Sequence, residues 1–331
     1  MRMTPEQRIE LGKKRILSVL KRHGIATLKM LEQKIADAGP TPQRVDPHLL
    51  THSRTQLQQE GRILTRIGLQ NREWHYLPET DPAVVEQRFQ ELQELHARTE
   101  ARSFTMRMGQ TAEIAVIKAL QQSKSNFIGH FTDLELHDDS TMYMKNDPDF
   151  VSGIHIRGGR LDYILFHPEA GPMGIEVKNI REWIYPDRSI VKALLAKCIQ
   201  VNAVPVIVAR RISYSTYSLL TDCGVVVHQF YNQLYPYADE NLANLVRQKL
   251  SLGYFDVRVG NAPDARMQRF FTLNLPAVAK EARRKFDEHL ETISAYAETR
   301  MSYKEFTARI RGRFEEEPEE IGWEPEAPDW E

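Results

Sequence analysis

Residues 159–179 constrain the fold more than any other part of this 331-residue chain. They read GRLDYILFHPEAGPMGIEVKN, with an apolar run at 160–166, a turn rich in Gly and Pro at 167–174 and a second run at 175–179. Two such runs about a short turn specify a hairpin. Strand side chains alternate, so Ile175 and Val177 bury on one face while Glu176 and Lys178 share the other. Asp162 comes beside them from the partner strand. Two carboxylates and an ammonium are therefore expected together at the edge of an apolar sheet.

Such a cluster is costly unless a cation lies between the acids, because like charges held together resist joint ionisation. A hard, oxygen-seeking ion such as Mg²⁺, or Mn²⁺, resolves the conflict, with Asp162, Glu176 and the Val177 carbonyl as expected ligands. It would polarise a phosphate oxygen and lower the pKa of a bound water. Lys178 would orient that water or offset charge developing on the phosphorane. These are the parts phosphodiester hydrolysis requires.

Asp162, thirteen residues, then Glu176-Val177-Lys178 resembles the D-(x)n-E-x-K signature of the PD-(D/E)XK nucleases, a superfamily that includes restriction enzymes and junction resolvases. The resemblance covers 106–230. It implies an α/β, restriction-endonuclease-like αβββαβ core: a helix at 106–121, strands at 127–136, 160–166 and 175–179, a helix at 189–201, and strands at 204–209 and 225–229. It also implies that Glu113, on the first helix, is the upstream acid that completes metal binding. Leu161 stands where the name-giving Pro would be, as in many members. Asn179, Lys197 and Gln200 are expected to face the scissile phosphate, because the helix after the motif often lends a polar or basic residue. The bare pattern has little weight alone, since Glu32-Gln33-Lys34 repeats it in mid-helix with no acidic strand ahead.

The first 80 residues read differently. Apolar spacing gives helices at 5–23, 27–39 and 46–61, with Thr27 as an N-cap and Pro47 at a first helical position. Strand-like runs follow at 62–67 and 72–77. Three helices and a hairpin in this order look like a winged helix-turn-helix. Its third helix would enter the major groove, presenting His48, His52, Arg54, Gln56 and Gln58, while Arg66 and Arg72 on the wing touch backbone. DNA is thus the expected partner, although modules of this type also bind proteins, so a protein partner stays open.

Charge agrees with that division. Residues 1–80 carry 14 Lys and Arg against eight Asp and Glu, a surplus of six, whereas 315–331 holds nine acids. A basic module suits a phosphate backbone through counterion release. The acidic end, interrupted by Pro318, Pro325 and Pro328, is expected to be a disordered tail. Residues 81–105 read as a connecting helix, 106–250 as the nuclease core and 251–314 as accessory helices, with a long one at 276–298. No apolar run reaches the roughly 18 residues of a membrane span, and no signal peptide is evident, so the expected location is cytoplasmic, with no membrane partner. Cys198 and Cys223 lack metal-ligand spacing and are expected to pack.

The expected function is therefore a Mg²⁺-dependent deoxyribonuclease, by analogy in restriction-like genome defence. Paired cleavage of a duplex would favour a homodimer. A non-catalytic regulator on a nuclease-fold scaffold and a repair or recombination nuclease are the alternatives.

Overall fold

The computed structural model describes residues 3–37, 45–132, 134 and 139–312; the expected acidic tail at 315–331 and the turn at 40–42 lie outside them. The chain divides into two compact units. One runs up to Thr105 and includes Asn241–Val257, and the other holds Met106–Glu240 and the described residues from Arg258 on.

In the first unit, α1 (Pro5–His23) opens with a capping box in which the Thr4 hydroxyl accepts from the Gln7 amide and the Gln7 side chain returns to the Thr4 amide. Gly24, at φ +77°, ends it. β1 (Ile25–Thr27), α2 (Leu28–Glu32), a π-helical turn (Gln33–Asp37) and α3 (Pro47–Gln59) follow. β2 (Leu64–Ile67) and β3 (Glu73–Tyr76) then form a hairpin, and β1 pairs antiparallel with β3 to give the order β1-β3-β2. α4 (Pro82–Glu100) belongs to this unit rather than merely connecting: its Phe89 and His96 rings meet the buried Trp74 ring at 5.3 and 5.4 Å. It stops at Ala101, whose extended ψ of 130° separates it from α5 (Arg102–Gln122). α5 thus starts four residues before the expected 106.

The second unit is mixed α/β. After α5, the strands β4 (Asn126–Ile128) and β5 (His130–Phe131) are split at Gly129, whose φ of +111° breaks the single strand expected from 127. Short antiparallel pairs join β5 to β6 (Lys145–Asn146) and β7 (Phe150–Val151) to β8 (Ile154–His155). β9 (Tyr163–His167), β10 (Gly171–Lys178), α6 (Ser189–Gln200), β11 (Val204–Ala209), α7 (Tyr214–Asp222) and β12 (Val226–Gln229) complete a five-stranded sheet of order β12-β11-β10-β9-β4. β4, β9 and β10 are antiparallel neighbours, and β10, β11 and β12 run parallel.

Helices cover both faces. On one, Ile114, Ile117 and Leu120 of α5 pack with Tyr163, Ile175, Val177, Val206 and Val208. On the other, Leu194, Leu195 and Cys198 of α6 pack with Ile164, Ile207 and Leu219. β11 is buried along its whole length, as expected of a central parallel strand. α8 (Glu240–Arg247) belongs from Asn241 on to the first unit, and in the second α9 (Ala265–Arg269) precedes α10 (Leu275–Glu288), α11 (Leu290–Ala297) and α12 (Tyr303–Arg311). The expected helix at 276–298 is thus two helices, broken at His289. Both cysteines are buried and unpaired by disulfide.

Candidate active site

Alternation along β10 places Glu176 and Lys178 on the α6 face and Ile175 and Val177 in the opposite core. Asp162 stands one residue before β9, and its amide donates to the Ile175 carbonyl at 3.0 Å, extending the hairpin ladder. Its Oδ2 accepts from the Val177 amide at 2.7 Å. The acid is thereby pinned to the strand that carries Glu176 and Lys178.

Around these three lie two ionic groups. Glu176 Oε1 is 2.6 Å from Lys178 Nζ, and its Oε2 is 2.5 Å from Lys197 Nζ on α6. α6 comes this close because β10 has glycine at 174: a Cβ there would sit 2.6 Å from Cys198 Sγ and 2.8 Å from Leu161 Cδ1. Lys197 also donates to the Arg160 carbonyl at 2.8 Å, so it faces inward on Glu176. In the second group, Glu113, Asp147 and Asp162 converge on Lys145 Nζ at 2.6, 2.7 and 2.7 Å.

The electrostatics follow from this crowding. Burial and then the Asp162 charge push the Glu113 carboxyl up to about 7, against the pull of Lys145. Burial works to lower the Lys145 and Lys178 ammonium pKa values, but the acids outweigh it and both stand above the ordinary lysine value. Asp162 and Glu113 are the leading acids for Lys145, and Glu176 and Asp162 for Lys178. The Tyr163 hydroxyl, which donates to the Glu113 carbonyl at 2.8 Å, is raised well above its usual value by burial and then by Glu113 and Asp162.

The residues expected at the centre are thus gathered: Glu113, Asp162, Glu176, Lys178 and Lys197. Two others are committed elsewhere. Asn179 is buried and ties the end of β10 to the Met108 carbonyl and to the Leu234 amide and carbonyl, at 2.7 to 3.0 Å. The Gln200 amide is occupied by the Arg157 backbone at 2.8 and 3.1 Å and the Ala196 carbonyl at 3.0 Å. Lys145 and Asp147 were not anticipated; their i, i+2 spacing, like that of Glu176 and Lys178, was the available signal.

Among the described residues, no group of three or more His, Cys, Asp or Glu side chains is arranged to hold a metal ion as it stands. The triad on Lys145 gives the reason: its oxygens are spaced for an ammonium at 2.6–2.7 Å, whereas Mg²⁺ takes ligands at about 2.0–2.1 Å. In kind, several partly buried carboxylates sharing one cationic centre fit a hard divalent ion. Their spacing fits the lysine.

In the first unit, His48 and His52 are exposed on α3 with rings 4.7 Å apart, and Gln56 is half-buried beside them. The arginines expected at DNA are engaged within the unit. Arg54 reaches Glu73 at 2.8 Å and Gln58 at 3.0 Å. Arg66 pairs with Glu86 and lies 3.8 Å over the Phe89 ring, and Arg72 pairs with Glu100. The charges of Arg66 and Arg72 are thus offset by α4, which the first 80 residues omit, and that of Arg54 by β3.

No helix among the described residues is long and apolar enough to cross a membrane. Comparison of the chain with protein-family models, with curated proteins and with solved structures returned no match.

Proposed function

We propose that this chain is a metal-dependent nuclease that hydrolyses DNA phosphodiester bonds at a centre formed by Glu113, Asp162, Glu176 and Lys178. The observation that carries the reading is the convergence of these residues from α5, the approach to β9, and β10. Stability does not require it, since a buried ionic cluster is commonly no more stabilising than apolar side chains of similar volume. The succession α5, β4, β9, β10, α6, β11, with its two antiparallel pairings and one parallel pairing, supports a PD-(D/E)XK core.

Asp162, Glu176, Glu113 and the Val177 carbonyl would hold Mg²⁺ or Mn²⁺. When bound, the ion supplies a polarised phosphate oxygen and a more acidic water. Lys178, already fixed by Glu176, presents its ammonium where negative charge grows on the phosphoryl group. Lys197 fixes Glu176 from the other side. The first unit, with helix, strand, two helices and hairpin in order, supports a winged helix that delivers the enzyme to DNA through α3. Restriction-like genome defence is the biological role this pairing of modules suits. Plasmid cleavage by the metal-stripped protein, with and without restored Mg²⁺, tests the reading; absence of metal-dependent cleavage sinks it.

One observation favours a second reading, a non-catalytic regulator: Glu113, Asp162 and Glu176 each already have a lysine partner. Under that reading Asp162→Asn alters stability while DNA binding persists and no cleavage is seen in either protein.

A further inference from the structure

Lys145 takes no part in the chemistry proposed above, yet it occupies the centre of the acids. Its ammonium lies 2.6, 2.7 and 2.7 Å from Glu113 Oε2, Asp147 Oδ1 and Asp162 Oδ1; it donates to Asp162, whereas Asp147 Oδ1 is buried without a hydrogen-bond partner. Its side chain is only 9% exposed, and the Phe131 and Tyr163 ring centroids lie 5.7 and 5.4 Å away. We propose that Lys145 is the resident counter-cation of the site, that a divalent ion enters by exchanging with its ammonium, and that Asp147 thereby becomes a further ligand. The inference rests on the metal-dependent reading of the same site.

Charge and space both argue for exchange rather than addition. Three carboxylates exceed what one ammonium neutralises, and a divalent ion brings twice the charge to the same point. An ammonium and a dication cannot share that centre without strong repulsion in a partly buried setting. Lysine is suited to leave, because its charge sits on a flexible four-carbon stem and the ammonium can withdraw without backbone movement. An arginine fork would be harder to displace. Until metal arrives, Lys145 spares the protein an uncompensated cluster of acids; afterwards its charge is released toward the anionic substrate.

Two measurements on the full-length chain test this. In calorimetric titration with Mn²⁺, Lys145→Gln is expected to bind at least about tenfold tighter than wild type, because no ammonium has to be expelled. Equal or weaker binding overturns the exchange. Since that variant leaves three acids without their cation and can fold poorly, the second measurement uses wild type. Acylation of Lys145 by a water-soluble activated ester, followed by peptide mass spectrometry, should accelerate about tenfold when Mn²⁺ is added. Exposed Lys280 serves as the internal reference. Mn²⁺ binding with Lys145 acylation unchanged or slowed overturns the exchange and leaves the metal site standing. If neither protein binds Mn²⁺, the metal-dependent reading falls as well.

Discussion

Lys197 Nζ lies 2.5 Å from Glu176 Oε2, so the helix after β10 is ionically joined to the strand that carries the candidate catalytic pair. Lys178 approaches the other oxygen of the same carboxylate at 2.6 Å. One acid is thus held by two lysines with different freedom: Lys197 is also tied to the Arg160 carbonyl, whereas Lys178 is the more exposed of the two.

That difference separates their roles. Lys178→Met is expected to lower metal-dependent cleavage by about 10²–10³-fold, the scale of a lost transition-state donor. Lys197→Met should lower cleavage less while reducing the unfolding midpoint, because Glu176 loses a buried partner. Steady-state rates measured beside denaturant unfolding check both; a Lys197 variant that unfolds like wild type and is as inactive as the Lys178 variant would contradict the assignment.

Gly174 is predicted to tolerate no side chain. In Gly174→Ala the added methyl meets Cys198 Sγ and Leu161 Cδ1 at 2.6 and 2.8 Å, and relieving that overlap displaces α6 and Lys197. Overpacking of this kind costs about 1–3 kcal/mol. Urea unfolding should show the loss, and a stability equal to wild type would mean that the helix approaches β10 less closely than described.

The first unit should weaken in acid. Burial, and then nearby Arg54, lowers the pKa of His75 to about 4; burial, and then Arg72 and Lys29, lowers that of His96 to about 3. Both rings stay neutral when folded, while the unfolded chain takes up protons below its ordinary value of about 6.5. Their contribution is therefore complete above about 6.5 and is lost as pH falls toward the folded values, by at most about 3 kcal/mol for His75 and about 5 kcal/mol for His96. Hydrogen exchange in β1 and β3 from pH 7 to 4 measures it, and His96→Gln should flatten the decline. An unchanged profile would mean that His96 is not buried as a neutral ring.

Binding to duplex DNA is expected through the exposed face of α3. His52→Ala with Gln56→Ala should weaken salt-sensitive binding by about 1–3 kcal/mol. Arg66→Ala and Arg72→Ala, which break pairs with Glu86 and Glu100, should act mainly on stability. Band shifts with the full chain decide this. A larger binding defect from the arginines than from the α3 pair would move the interface to the wing.

Legibility in the sequence followed locality. β11 is Val204–Ala209, the span expected, because a short apolar run in a parallel sheet has few other readings. β10 starts at Gly171 although Pro172 and the glycines read as a turn. Pro172 pairs with Phe166 on β9, but β11 joins only from Met173, so on that side the proline faces no ladder. At the site, Glu176 and Lys178 were legible because strand alternation puts them on one face, and Asp162 because the hairpin turn brings it beside them. Lys145 and Asp147 come from the segment between β5 and β7, whose approach to Asp162 depends on long-range packing that no local period records. Arg66 and Arg72 misled for a related reason: their partners lie on α4, beyond the module as the sequence divided it.

A metal-dependent nuclease centre at Asp162 and Lys178 is tested by cleavage with purified full-length protein supplied with Mg²⁺ or Mn²⁺, on plasmid, single-stranded DNA and RNA, for wild type, Asp162→Asn and Lys178→Ala. Metal-dependent cleavage of DNA by wild type is expected, abolished by chelation and by Asp162→Asn and sharply reduced by Lys178→Ala. Absence of cleavage from every substrate, or cleavage that both variants retain in full, would contradict it.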